Sequence, residues 1–213
     1  MLANALATLR LFPLINIVVF ASGSGTNFQS IINAVESGQI EGQIRGLITN
    51  RAEIEAINRA QRHDIAHATF TPSGYAERAD YHKALLSQLA DWNTDLIVLA
   101  GYLLKIPVPV IDAYSGRIIN IHPSLLPKYG GKGFYGINVH RAVIESGDTE
   151  TGCTVHIVTE EYDEGPVLAQ QTVPVHQSDD VSSLAGRVLE KEHELFPKAI
   201  AKLANELNSK NHS

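Results

Sequence analysis

Ile15–Ala21, INIVVFA, is a largely β-branched apolar run broken only by Asn16, and residues 95–100, DLIVLA, form a second. A strand with one wet face alternates polar and apolar side chains. A strand this apolar has to be covered on both faces, which is the mark of a parallel sheet between two layers of helices. The segments between the runs carry helical spacing. Ile31, Ile32 and Val35 share a face within residues 28–35, and Tyr81, Leu85 and Leu89 make one stripe within residues 75–91. Helices are also predicted over residues 52–62, 108–114 and 139–145. Strands are predicted over residues 46–49, 67–70, 117–121, 153–158 and 167–175, the last two antiparallel to each other. Residues 178–207 read as a long amphipathic helix, capped by Ser178 or Asp179 and interrupted at Pro197. The alternation predicts an α/β fold: a doubly wound, Rossmann-like, mostly parallel mixed sheet with a long C-terminal helix. Residues 1–14 read as an N-terminal extension or short helix. Residues 15–207 read as one domain, with a phosphate-binding half over 15–114 and a catalytic half over 115–207. Residues 208–213 read as a tail.

Composition narrows the partners. The net charge is −6 and no basic cluster occurs, which argues against nucleic acid. An anionic small molecule would have to be held by backbone amides and a few local cations. The apolar runs are strand-length, far short of the ~20 residues a membrane span needs, so no membrane partner is expected. Cys153 is the only cysteine, which excludes an intrachain disulfide or a cysteine-rich zinc site and suits a reducing, cytoplasmic setting.

Two constellations could carry chemistry. Ser22-Gly23-Ser24-Gly25-Thr26-Asn27 stands between a strand and a helix. Glycines allow a sharp turn, and the helix start then offers free N–H groups to an anion such as a phosphate monoester. No Gly-Lys-Ser/Thr follows, and Phe28 takes the third glycine position of a dinucleotide loop, so neither a Walker nor a dinucleotide site is indicated. A plain glycine-rich turn remains the alternative. The second constellation is Asn120 and His122, two apart at a strand end and therefore on one face. Pro123 forces an extended exit. Asp163 lies in the acidic stretch of residues 160–165. It is either a solvated turn residue or a carboxylate that folds back beside His122, orients the ring and raises its pKa. In the second case Asn120 would donate to a developing oxyanion, a set suited to attack by an amine on a formyl or acyl carbon. Ser124 lacks the G-x-S-x-G setting of a nucleophile.

SGSGTN after the first strand, DLIVLAGY, GRIINIHPSLLPKYGG and GCTVHIVTEEYDEGPVLAQ together resemble the phosphoribosylglycinamide branch of the folate-dependent formyltransferase family. The resemblance runs from Ile15 to about Leu203. It implies the formyltransferase fold and transfer of a formyl group from 10-formyltetrahydrofolate, as co-substrate, to the amine of glycinamide ribonucleotide. It implies neither a metal nor a bound prosthetic group. It also implies Asn120, His122 and Asp163 as the catalytic trio. Ser24, Gly25, Thr26 and Asn27 become the phosphate loop, and Glu192 a second contact to the ribonucleotide. Arg78, Tyr102, Leu103, Leu104, Lys105 and Ile106 become folate-binding residues, with Asn120, Glu160, Glu161 and Asp163. Leu103-Leu104 stand where the family often has Met-Arg, and Leu189 where a polar residue is common. Residues 130–138, GGKGFYGIN, exceed the length in some members and suggest a flap bearing Lys132. His156 is expected to play a supporting polar role. A formyltetrahydrofolate hydrolase and a non-catalytic sensor of a phosphorylated metabolite are the rival readings. A monomer or weak homodimer is expected.

Overall fold

The computed structural model describes residues 14–210, so most of the expected N-terminal extension lies outside the described residues. The elements run β1 (Ile15–Ala21), α1 (Thr26–Glu36), β2 (Gly42–Thr49), α2 (Glu55–Arg62), β3 (His67–Thr69), α3 (Arg78–Asp91) and β4 (Leu96–Leu99). They continue with α4 (Val108–Ala113), β5 (Ile118–His122), α5 (Ile137–Ser146), β6 (Glu150–Ile157), β7 (Val167–Pro174) and α6 (Val181–Lys210). The seven strands form one sheet in the order β3-β2-β1-β4-β5-β6-β7. β1 to β5 are parallel, and β6 and β7 extend the sheet in antiparallel fashion.

The side-chain period of two sorts each central strand into two cores. Ile15, Ile17, Val19 and Ala21 of β1 join Leu96 and Val98 of β4 under α1, α2 and α6, where Phe28, Ile31, Val188, Phe196 and Ile200 pack. Val18 and Phe20 point the other way, with Ile97, Leu99 and Ile118, onto Tyr81, Leu85 and Leu89 of α3 and Val110 of α4. Asn120 and His122 are in phase with Ile118 and so belong to this second face, at the strand end where the apolar core stops.

The order 3-2-1-4-5 makes β1 and β4 neighbours whose connections leave in opposite directions. Their carboxyl ends open a crevice, the usual ligand position in such sheets. Ser22 holds it together. Its N–H donates to the Gly101 carbonyl at 3.2 Å, its Oγ donates to Asn50 Oδ1 at 2.6 Å, and its Oγ accepts from Leu103 N–H at 2.9 Å.

Several predicted boundaries shift. β2 begins at Gly42 rather than residue 46, because its first half, GQIR, lacks an apolar signal but pairs with β1. A 3₁₀ turn, Pro72–Gly74, precedes α3, which starts at Arg78. The cap of α6 is Asp180, whose Oδ1 accepts from Ser183 N–H at 2.7 Å; Asp179 instead pairs with Arg187. α6 runs unbroken through Pro197 to Lys210, past the expected end at 207. A proline inside a helix costs roughly 3 kcal/mol. Buried Phe196, Ala199 and Ile200 around it anchor α6 to the sheet and offset that cost. Among the described residues no helix is long and apolar enough to cross a membrane.

The β6–β7 loop folds back over the sheet end because residue 165 has no side chain. A Cβ on Gly165 would lie 1.8 Å from the Ile157 carbonyl oxygen. Gly165→Ala is expected to lower stability by about 1–3 kcal/mol through this overpacking, read as a lower urea midpoint at unchanged m-value.

Candidate active site

The crevice opens into a cavity of about 690 Å³, within the range of small-molecule sites. Its walls come from the β1–α1 loop (residues 23–27), the segment after β4 (99–106), the end of β5 (120–123), residues 131–137 with His140, the β6–β7 loop (158–163) with His156, and Ala185, Leu189 and Glu192 of α6. Every expected site residue lies on this wall except Arg78, which is exposed in the first turn of α3 and does not reach it. Leu103, Phe134, Tyr135, Ile137 and Tyr162 are large apolar side chains left exposed on the wall. Lys105 Nζ sits 5.1 Å from the Tyr162 ring centroid, a cation–π contact across the rim.

The β1–α1 loop turns at Gly25, with φ 69 and ψ 32, as the N-cap of α1. A Cβ there would lie 2.8 Å from Ala56 Cβ, so glycine is required both by the left-handed backbone and by the approach of α2. Gly25 supplies no side-chain cap, and the first N–H groups of α1 keep their capacity for an anion. Arg59 backs the loop, donating from Nε to the Ser24 carbonyl at 2.9 Å and from Nη1 to Gln29 Oε1 at 3.0 Å. Asn27 Nδ2 donates to Glu192 Oε2 at 2.5 Å, joining α1 to α6, while Asn27 Oδ1 is buried without a partner among the described residues. Burial pushes the Glu192 carboxyl up to about 7 against the lowering effect of Asn27.

At the other end the geometry fixes which histidine nitrogens carry protons. His122 Nε2 faces the Tyr129 carbonyl at 2.7 Å, and His156 Nδ1 faces the Ile157 carbonyl at 2.9 Å. A carbonyl only accepts, so both nitrogens are N–H. In neutral His156 the Nε2 lone pair then accepts from Asn120 Nδ2 at 3.1 Å, which sets the orientation of the Asn120 amide. In neutral His122 the lone pair is on Nδ1, 3.6 Å from Asp163 Oδ2. Nδ1 is therefore the atom that gains and loses a proton.

Asp163 does fold back beside His122, in a left-handed conformation with φ 58. Its Oδ2 accepts from Gly131 N–H at 2.9 Å, and its Oδ1 lies 3.5 Å from His156 Nε2. Burial pushes the Asp163 carboxyl up, but His156 and His122 in their protonated forms, with the Gly131 N–H, outweigh it and hold it below the usual carboxylate range. The expected rise in the His122 pKa does not follow. Burial, at 4% exposure, pulls the imidazole below its ordinary value, and this exceeds the upward push of Asp163 and the Tyr129 carbonyl. The resting ring is neutral at neutral pH.

Several residues that shape the site carry no motif signal. Ser124 is buried and donates to the Lys128 carbonyl at 2.6 Å, so its hydroxyl is a loop clamp. Thr154 Oγ1 donates to the Ser124 carbonyl at 2.6 Å and accepts from Leu126 N–H at 3.0 Å. Gln170 Nε2 donates to the Leu126 carbonyl at 3.0 Å. The contacts of Thr154, Gln170, Arg59 and Ser22 span tens of residues, and no spacing rule announces them.

Residues 15–200 match the formyl transferase family model. The chain is 38% identical over 190 residues to a phosphoribosylglycinamide formyltransferase of Escherichia coli K12, covering 89% of this chain and 87% of that protein. It is 42% identical over 190 residues to the chloroplastic enzyme of that name in Vigna unguiculata, covering 89% of this chain but only 61% of the longer plant protein. The crystal structure of glycinamide ribonucleotide transformylase 1 from Symbiobacterium toebii superposes with a TM-score of 0.85 at 38% identity, over 91% of this chain and 89% of that one. With a family match over residues 15–200, almost the whole described chain, the protein belongs to the formyl transferase family.

Proposed function

We propose that the protein transfers the formyl group of 10-formyltetrahydrofolate to the amine of glycinamide ribonucleotide, giving formylglycinamide ribonucleotide and tetrahydrofolate in purine biosynthesis. The observation that carries this reading is the tethered His122, with Nδ1 facing Asp163 and Asn120 alongside, in the same cavity as the Gly25 loop. The loop of Ser24, Gly25, Thr26 and Asn27 takes the phosphate on its backbone amides. Asn27 Oδ1 and Glu192 accept from the hydroxyls of the ribonucleotide. The raised pKa of Glu192 suits a carboxyl close to a phosphate. The exposed apolar wall, the backbone of residues 102–106 and the loop of Glu160 and Glu161 suit a flat heteroaromatic ring. Arg78, outside the wall, is left for the carboxylates at the outer end of the folate. Residues 15–207 act as one domain, on small molecules, in the cytoplasm and as a monomer or weak homodimer.

The amine attacks the formyl carbon and a carbon–nitrogen bond forms. Negative charge gathers on the formyl oxygen, where the Asn120 N–H not used on His156 donates. Neutral His122 takes the proton from the amine on Nδ1. The imidazolium is then held between the Tyr129 carbonyl and the Asp163 carboxylate. As the bond from the formyl carbon to the folate nitrogen breaks, His122 returns that proton to the departing nitrogen. Proton transfer by a placed group is worth about 10²–10⁴-fold and an oxyanion donor about 10²–10³-fold. Holding both substrates in line supplies much of the rest.

Consumption of 10-formyltetrahydrofolate, followed by absorbance with and without glycinamide ribonucleotide, tests this reading. Turnover that does not depend on the ribonucleotide would assign a hydrolase, and no turnover would assign a sensor. Asp163→Asn is expected to cut kcat about 10²-fold or more with little change in either KM. It should also move the acid limb of the pH profile, which lies below pH 6.5, to still lower pH, because the carboxylate that raises the His122 pKa is gone. Near-normal turnover would remove Asp163 from the mechanism. Gly25→Val is expected to raise the ribonucleotide KM about 10-fold or more, the worth of a charge-assisted hydrogen bond or two, and to leave the folate KM nearly unchanged.

Glu192 also makes stability depend on pH. Its folded pKa of about 7 lies above the unfolded value of 4.5. The folded state therefore holds the extra proton between these values, and stability falls as pH rises from 4.5 through 7. Glu192→Gln is expected to remove this slope and to be the more stable form at pH 8 by about 3 kcal/mol, measured by denaturant unfolding of the ligand-free protein at pH 5 and pH 8.

A further inference from the structure

Beyond the trio and its direct neighbours, one hydrogen-bonded brace reaches the catalytic imidazole from a turn on the far side of the loop after β5. Tyr129 takes a left-handed conformation with φ 55, uncommon for an aromatic side chain and retained only where the surroundings over-determine it. The reversal lets two successive carbonyls serve different partners. The Lys128 carbonyl accepts from Ser124 Oγ at 2.6 Å, and the Tyr129 carbonyl accepts from His122 Nε2 at 2.7 Å. The phenol is held at its other end. Its oxygen lies 2.6 Å from Ser146 Oγ and 2.9 Å from Asp148 Oδ2, at the turn between α5 and β6. Lys128 Nζ meets the same Asp148 oxygen at 3.0 Å, and Ser146 Oγ donates onward to the Val143 carbonyl at 2.8 Å. The Tyr129 ring also meets Phe134 edge-on, with centroids 6.1 Å apart.

We propose that Tyr129, locked by Asp148 and Ser146, is a positioning residue that fixes the tautomer and the basicity of His122 by presenting its main-chain carbonyl to Nε2. This deepens the formyl-transfer reading and rests on it for its consequence in catalysis, but its physical content belongs to the substrate-free protein. The ring of His122 faces few groups that could set its charge: Asp163 from the β6–β7 loop, His156 from β6, His140 from α5 and the Tyr129 carbonyl. Of these the carbonyl alone holds Nε2. If it swings away, the N–H can move to Nδ1, where it would lose the lone pair that receives the amine proton. Lys128 and then Tyr129 hold the Asp148 carboxyl below the usual range, so the anchor stays charged at working pH.

The test uses Tyr129→Phe, which keeps the ring and removes the anchor, and Asp148→Asn, which removes only the charge. Imidazole ¹⁵N resonances of the substrate-free protein report tautomer and titration directly. Wild-type His122 is expected as the Nε2–H tautomer. Both variants are expected to show Nδ1–H admixture and a lower His122 pKa, with kcat reduced about 10-fold, inside the ~10²-fold that a 1 Å misplacement costs, and both KM values within about twofold. Unchanged His122 tautomer and titration in the two folded variants would overturn the proposal, whatever happens to activity or Tm. Because the resonances need no substrate, an absence of formyl transfer in the wild type would sink the proposed function and leave this measurement intact. If Tyr129→Phe does not fold, Asp148→Asn decides alone.

Discussion

The site depends on the reversal of winding direction at β1 and β4. With parallel neighbours whose connections leave to opposite sides, no chain crosses the sheet end between them, and the gap is open to solvent and ligand. The Gly25 loop, the segment after β4 and the end of β5 all empty into it. Ser22 then closes the seam with three hydrogen bonds, so the phosphate-type loop and the Tyr102 segment hold a constant relation. β6 runs antiparallel to β5 and ends with Ile157 beside Ile119, so the β6–β7 loop has to fold back along β5 to bring Asp163 to His122.

Burial and charge pull against each other throughout the site. His122 is placed where its core-facing neighbours are apolar, and desolvation keeps it neutral despite Asp163. Against its own partial burial Asp163 is held low by the Gly131 N–H, and by His156 and His122 when either ring carries a proton toward it. The pair is thus set as base and carboxylate rather than as a preformed ion pair, which is what acceptance of a proton from an amine requires. Glu192 shows the opposite balance, since one amide donor does not compensate its burial and its pKa rises. Three titratable groups in one cavity take three settings from their surroundings alone.

The layer architecture was legible in the residues because it follows from local periodicity. Runs such as Ile15–Ala21 demand cover on both faces, and the stripe of Tyr81, Leu85 and Leu89 demands a partner. Boundaries went astray where local signal and tertiary pairing disagree. The polar start of β2 is held by β1, and Pro197 is held inside α6 by the buried residues around it. The motif-bearing residues, Gly25, Asn120 and His122, were readable from type and spacing. Arg59, Thr154 and Tyr129 were not, since each acts through a contact across a fold that has no linear signature. Arg78 is the converse, a residue suggested by resemblance that stands off the cavity wall.

By itself the sequence determined the alternation of strands and helices, the left-handed turn that glycine permits after β1, and the shared face of Asn120 and His122. All three follow from backbone geometry over a few residues. Tertiary structure alone decided the strand order, the return of Asp163, the neutral state of His122 and the choice of Nδ1 as its working nitrogen. Each of these depends on which groups surround an atom in space, and a dielectric environment or a carbonyl aimed at a ring is set by chain segments far apart in sequence.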